Sequence, residues 1–221
     1  MEKVNLLINQ LRKKVEKYFN KDMSGHSIDH LERTMKNALY LQSKEGGDKV
    51  VVAVAAFVHD VHRILEEKEQ RFVTPKESLP VVKSFLKGLD ITKEQKEHIL
   101  FAIEHHEEYK FGEKGVNVDD IESKILQDAD NLEAMGAVGI VRLFKFGVVN
   151  NMKDYYPNVP LYRDKFDDSR RDASSIHHIY NKLLRLGAAM HTRTARKMAK
   201  KKTKLMKEFM DMFIDEFTGK F

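Results

Sequence analysis

Nine apolar residues, Val50–Val58, run without a break and end against His59-Asp60. A segment that is apolar on every side is buried on every side. It therefore belongs at the centre of whatever this chain folds into. Its alanines favour helix and its valines argue weakly for strand, so helix is the expectation. A carboxylate at the buried end of such an element is costly unless positive charge offsets it. The adjacent imidazole and a bound cation would do so. The pair alone also fits a helix that surfaces at His59 and leaves Asp60 in water, and the rest of the chain has to decide.

The flanking sequence reads as further helices. Residues 3–19 place Val4, Leu7, Ile8, Leu11, Val15 and Phe19 at helical spacing. Ser27 or Asp29 opens the next helix, which carries Leu31, Met35, Ala38 and Leu39 on one face and stops at Gly46-Gly47-Asp48. Thr74-Pro75-Lys76-Glu77 and Thr92–Gln95 are capping boxes, the first with proline at the first helical position. Residues 118–134 predict another helix; Gly136 and Gly139 read as an interruption before a short one at Ile140–Phe144. Residues 147–173 are irregular, and a loop of that length is usually functional or mobile. Ser174 or Ser175 caps the next helix, and a last long one runs from about Met190 to Phe217. No stretch reads convincingly as a strand, and no repeat is visible. The expected fold class is all-α, a compact helical bundle. Few prolines and glycines and no linker in 221 residues argue for a single domain.

Composition narrows the chemistry. There is no cysteine, so any metal must be held by histidine and carboxylate. The formal charge of +5 is modest and much of it lies in Arg193–Lys204, which reads as a solvated helix face; nucleic acid is not the expected partner. The N-terminus lacks an apolar signal core, and no apolar run approaches the roughly 20 residues of a membrane span. A soluble, cytoplasmic protein with no membrane partner is the expectation.

Four residues stand out: His30, His59, Asp60 and Asp130. A histidine, then His-Asp, then a distant aspartate resembles the HD-domain superfamily of metal-dependent phosphohydrolases. Gly25-His26 and His30-Leu31-Glu32-Arg33 resemble that family's first motif, and Ala55–Asp60 its second. Gln127–Arg142 is similar to the third motif of a bacterial single-domain branch, as are His178, Lys182-Leu183-Leu184 and Thr192 to its C-terminal part. The resemblance covers most of residues 20–218. The sequence departs from the pattern at Thr34, where valine is commoner, at Asn131, where a basic residue is frequent, and at Val61-His62-Arg63. Some relatives place a catalytic glutamate where Arg63 stands, so a glutamate base does not carry over.

The resemblance implies a metal-site core at about residues 20–145, with C-terminal helices at about 174–218 packed on it. It implies His30, His59, Asp60 and Asp130 as ligands of one divalent cation: Mn²⁺, Mg²⁺, Fe²⁺, Co²⁺, Ni²⁺ or Zn²⁺. Such a cation polarises a phosphoryl oxygen and lowers the pKa of a bound water. The implied substrate is a phosphate ester or anhydride, a nucleotide above others, with phosphate or pyrophosphate released. Asp60 then stands at the catalytic centre, and Arg33, His62 and Arg63 are the nearest cations by sequence for the other phosphate oxygens. Asp128 is a candidate to orient a ligand or the attacking water, and His26 a neighbour of the ligands. One metal is the expected count. On a continuous helix His62 would point about 200° away from Asp60, and His98 and His105 would lie roughly 10 Å apart, which leaves His105 or His106 alone. Two other functions stay open: a two-iron oxygenase, and a non-catalytic binding module built on residues 193–204. Homo-oligomerisation is also open.

Overall fold

The apolar run forms the central helix of the molecule. The computed structural model describes residues 2–19, 23–108, 118–162 and 172–220. Helix α1 (Glu2–Phe19) lays the predicted stripe from Val4 to Phe19 into the core. Helix α2 (Ile28–Glu45) starts at Ser27 and ends at Gly46, where φ is +90°. Asp48 then caps α3 (Lys49–Val58), its side chain accepting from the amides of Val50 and Val51. From Val51 to Val58 every residue of α3 is buried, as an all-apolar helix requires. It packs against α1 and α2, and against two later helices, α6 (Lys93–Glu104) and α7 (Ile121–Glu133).

The helical path breaks at Asp60, whose φ of −88° and ψ of 19° lie in the sparsely allowed bridge region. Helix α4 (Val61–Glu69) then leaves in a new direction, followed by α5 (Pro75–Leu86) with the full Thr74–Glu77 capping box. The Thr92–Gln95 capping box opens α6, which ends at Glu104. Asp120 caps α7 by accepting from the amide of Ser123. No strand occurs among the described residues.

The sequence expectation fails at α8 (Gly136–Val149), a full helix where an interruption and a short helix were predicted. Gly136, at φ +71°, starts it rather than breaking it. Gly139 serves packing: a Cβ there would fall 2.3 Å from the backbone of Ala134. The absent side chain lets α8 fold back tightly on the end of α7.

Within the irregular stretch, Tyr155 is buried and its ring meets His177 and Phe217; residues 163–171 lie outside the described residues. Ser174 caps α9 (Ser175–His178), which passes through a π-helical turn (Ile179–Leu183) into α10 (Leu184–Ala189). Thr192 caps the last helix, α11 (Arg193–Thr218), by accepting from Ala195. Part of its basic segment is engaged internally: Lys202 Nζ donates to the Met135 carbonyl at 3.1 Å and Arg196 to those of Met190 and His191. No helix among the described residues is long and apolar enough to cross a membrane.

Gly139→Ala should lower folding stability by roughly 1–3 kcal/mol, the usual cost of overpacking. Urea unfolding checks this, and an unchanged midpoint would mean that the α7–α8 contact is loose.

Candidate metal centre

Helices α2, α3 and α7 pack side by side, and each brings ligand-type residues to one point. His30 comes from the first turn of α2, His59 from the end of α3, Asp60 from the break, and Asp130 from α7. His30 Nε2 lies 3.1 Å from Asp60 Oδ2, 3.4 Å from Asp130 Oδ1 and 3.2 Å from His59 Nε2. His59 Nε2 lies 3.5 Å from both Asp60 Oδ2 and Asp130 Oδ1. Ligand bonds of about 2.0–2.2 Å put neighbouring donors roughly 3–3.5 Å apart, so these spacings are those of a coordination shell. The ring orientations agree. His59 Nδ1 is 3.0 Å from the Ala56 carbonyl, and His30 Nδ1 is 3.3 Å from Thr34 Oγ1 and 3.6 Å from Glu133 Oε2. Holding Nδ1–H in this way turns the Nε2 lone pair inward, as metal-ligating histidines require. The donor set and its geometry fit a divalent cation of the mixed nitrogen–oxygen class.

Electrostatics tell the same story from the protons. Burial and Arg142 disfavour the His30 imidazolium, yet hydrogen bonding to Asp130, Asp60 and Glu133 raises its pKa to about 9. Burial disfavours the ionised carboxylates, but the imidazoles hold Asp60 and Asp130 well below the usual range. Without a metal, a proton on His30 partly offsets the carboxylates; a cation takes over that role.

The site opens into a cavity of about 180 Å³, and a wider recess of about 750 Å³ adjoins it through Ser24, His26, Arg63 and Phe146. Asp60, Asp130 and Glu107 reach the cavity wall, opposed by Arg63, Arg142 and Lys182; Leu143, Leu183 and Leu186 supply apolar surface. Arg142 is held by an Nε bond of 2.8 Å to the Gly25 carbonyl. Arg63 is clamped between Glu66 and Glu107. His26 stands beside the donor set, Nδ1 2.8 Å from Asp60 Oδ2. His178 and Lys182 reach the wall from the π-helical turn and its edge, a distortion frequent at functional sites.

Three of the sequence-based candidates lie away from the cavity wall. Arg33 is not on the cavity wall; its Nε donates to Glu133 Oε2 at 2.8 Å, and Glu133 in turn faces His30. Asp128 is fully buried, and its two oxygens accept from the amides of His191 and Thr192 at 2.7 Å each. His62 does not face the cavity, nor does it sit on the far side of a continuous helix. The break at Asp60 turns it into the core, where its Nε2 is 3.4 Å from Glu107 Oε2 and its ring 5.3 Å from that of His106. His105 bonds Glu108 instead, and His98 bonds Asp120 at the other end of α6. The sequence reading assigned no role to Glu107 or Glu133, whose partners are distant in sequence, and gave Arg142 none beyond its place in the third motif.

Comparison with known proteins fits this arrangement. The HD-domain family pattern matches residues 27–135, which contain all four converging side chains. The Bacillus subtilis (strain 168) protein YpgQ is 30% identical over 210 residues, 95% of this chain and 93% of its own length. The chain belongs to the HD-domain superfamily. A solved HD-superfamily hydrolase from Bacillus thuringiensis is 30% identical to this HD protein, covers 98% of it, and superposes with a TM-score of 0.69 over 97% of its own chain. A Lactobacillus plantarum structure superposes with a TM-score of 0.80 at 28% identity, over 97% of this chain and 98% of its own. YpgQ has been solved in complex with ADP; that structure gives a TM-score of 0.68 at 29% identity, over 97% of this chain and all of its own.

Two predictions follow from the HD centre. A cation must displace the proton that His30 holds below pH about 9. Metal affinity should therefore rise about tenfold per pH unit toward 9 and level off above it. Calorimetry at pH 7 in buffers of different ionisation enthalpy should show at least about one proton released per cation; none released would remove His30 from the ligand set. Arg33→Ala, acting through Glu133, should weaken metal affinity about tenfold or more and leave the KM of the metal-saturated protein unchanged.

Proposed function

We propose that this HD protein is a divalent-metal-dependent phosphohydrolase that cleaves a phosphate ester or anhydride of a nucleotide, releasing phosphate or pyrophosphate. The observation that carries this is the juxtaposition of the His30–His59–Asp60–Asp130 donor set with a cavity whose wall holds Arg63, Arg142 and Lys182. A carboxylate-rich centre suits a cation, and a cationic wall beside it suits the oxygens of a phosphorylated substrate. The complex of YpgQ with ADP favours a nucleotide.

When bound, a divalent cation supplies Lewis-acid polarisation and an acidified water. The chain supplies the rest. His30, His59, Asp60 and Asp130 hold the cation, and His26 fixes Asp60 Oδ2. Arg142, immobilised on Gly25, presents positive charge without having to be ordered first. Arg63, tied to Glu66 and Glu107, does the same from the opposite element. Phe146, shared by both recesses, and Phe72 beyond it give apolar surface for the organic part of the substrate.

A release assay for phosphate and pyrophosphate over a panel of nucleotides, with Mn²⁺, Mg²⁺, Co²⁺ and Ni²⁺ each tested, should find turnover. No release from any combination would overturn the proposal. His59→Ala and Asp60→Ala should lose metal and turnover together, with a melting curve recorded to exclude unfolding. Arg142→Ala should keep the metal and lower kcat/KM roughly 10- to 100-fold, as expected for a lost charged hydrogen bond.

A further inference from the structure

Helix α11 carries a charge pattern that the metal centre does not use. From Arg193 to Lys207 the sequence holds eight cations and no acidic residue. The remainder of the chain then has 31 basic against 34 acidic residues, so the excess positive charge of the molecule arises here. Lys202 turns inward to the Met135 carbonyl. The other seven, from Arg193 through Lys207, are exposed. The helical repeat places them within an arc of about 140° and along roughly 21 Å of axis. The opposite face, with Ala195, Ala199, Met206 and Met210, is buried.

Little in the fold neutralises this stripe. Among the described residues, Lys204 alone of the seven forms an ion pair, at 3.6 Å from the exposed Glu208. Glu45, at the end of α2, faces Arg193 and Arg196, with one oxygen taken by the Thr194 amide at 2.7 Å. Arg196 bonds uncharged carbonyls of the preceding loop. Arg193 and Lys197, Arg196 and Lys200, Lys197 and Lys201, and Lys200 and Lys204 are like-charged neighbours four residues apart, an arrangement that destabilises a helix. The first turn has no acidic residue, and its cations oppose the positive end of the helix dipole. An anionic partner would offset both costs at once.

The form of the stripe selects the partner. Roughly 21 Å is the axial length over which one strand of a duplex presents about six phosphates, and the second strand doubles that density. No aromatic residue lies between Arg193 and Lys207, so there is no platform for the unstacked bases of a single strand. The cationic heads have no acceptor with which to single out a 2′-hydroxyl. Within the stripe Leu205 is the one large apolar side chain exposed, too little to enter a membrane. None of the seven lines either recess beside the metal centre, so a nucleotide bound there would leave the stripe open. We propose that this face of α11 binds the phosphate backbone of double-stranded DNA, without sequence preference. It revises the expectation, drawn from the modest net charge, of a merely solvated face and no nucleic-acid partner. It does not rest on the metal centre or on the hydrolase activity.

The test is fluorescence anisotropy of the full chain with a labelled mixed-sequence DNA duplex, titrated over a range of salt and with chelator present to keep the metal centre silent. Wild type should bind with a slope of log K against log salt of about −4 to −6. Combining Lys197→Gln, Lys200→Gln and Lys204→Gln should weaken binding at least about tenfold at low salt and reduce the slope by about three. A control variant removes the same charge elsewhere, with Lys83→Gln, Lys87→Gln and Lys93→Gln, and should bind as wild type does. Circular dichroism melting checks that both variants fold; glutamine keeps helix propensity at these exposed positions. No binding by wild type, or equal loss in the two variants, would overturn the proposal. So would tighter binding to single-stranded DNA, to duplex RNA or to anionic phosphatidylglycerol vesicles than to the DNA duplex.

Discussion

Everything at this centre depends on one backbone residue leaving the helix. Asp60 follows an all-apolar helix and adopts bridge-region dihedrals. A continuous helix would have sent His59, Asp60 and His62 around its circumference. The break instead aims His59 and Asp60 at α2 and α7, and swings His62 toward the end of α6. An uninterrupted apolar run ending in His-Asp is thus more than a buried helix with a polar cap. The run anchors the break, because no residue of α3 from Val51 onward can move into water without loss of core.

The centre is then balanced by charge rather than by packing. Asp60, Asp130, Glu107 and Glu133 are all held ionised against the penalty of burial. Imidazoles and guanidinium groups provide the compensation: His30 and Arg33 for Glu133, Arg63 and His62 for Glu107. Such a cluster is tolerated in a low-dielectric interior only when each charge has a partner. This accounts for arginines that serve structure and cavity together. Arg63 lines the cavity, yet it is also the counter-charge without which Glu107 would be costly to bury.

The sequence disclosed those parts of the site that are local. His30, His59, Asp60 and Asp130 sit in short motifs on elements whose periodicity is clear, and the structure brings the four side chains together. Capping boxes at Thr74 and Thr92 were legible for the same reason. Roles that depend on where a side chain points were not. Arg33 is one turn from His30, but its partner is Glu133, 100 residues away. Asp128 looked like a companion of Asp130, yet neighbouring residues on a helix face different directions, and Asp128 meets amides more than 60 residues later. His62 followed the rule for a continuous helix that does not exist. Gly139 signals a break in one dimension and a close contact in three.

The anchorage of Asp128 bears on how the molecule comes apart. Both oxygens of this buried carboxylate are held by the first amides of the segment leading into α11, while Asp130, two residues on, faces His59. The C-terminal helices that bring His178 and Lys182 to the cavity are therefore fastened to the same turn that carries Asp130. Peeling them away would strand a charge in the core. Roof and α7 thus open together or stay closed together, and a chain truncated before Thr192 would lose the cohesion of its His-Asp cluster along with that of its C-terminal helices.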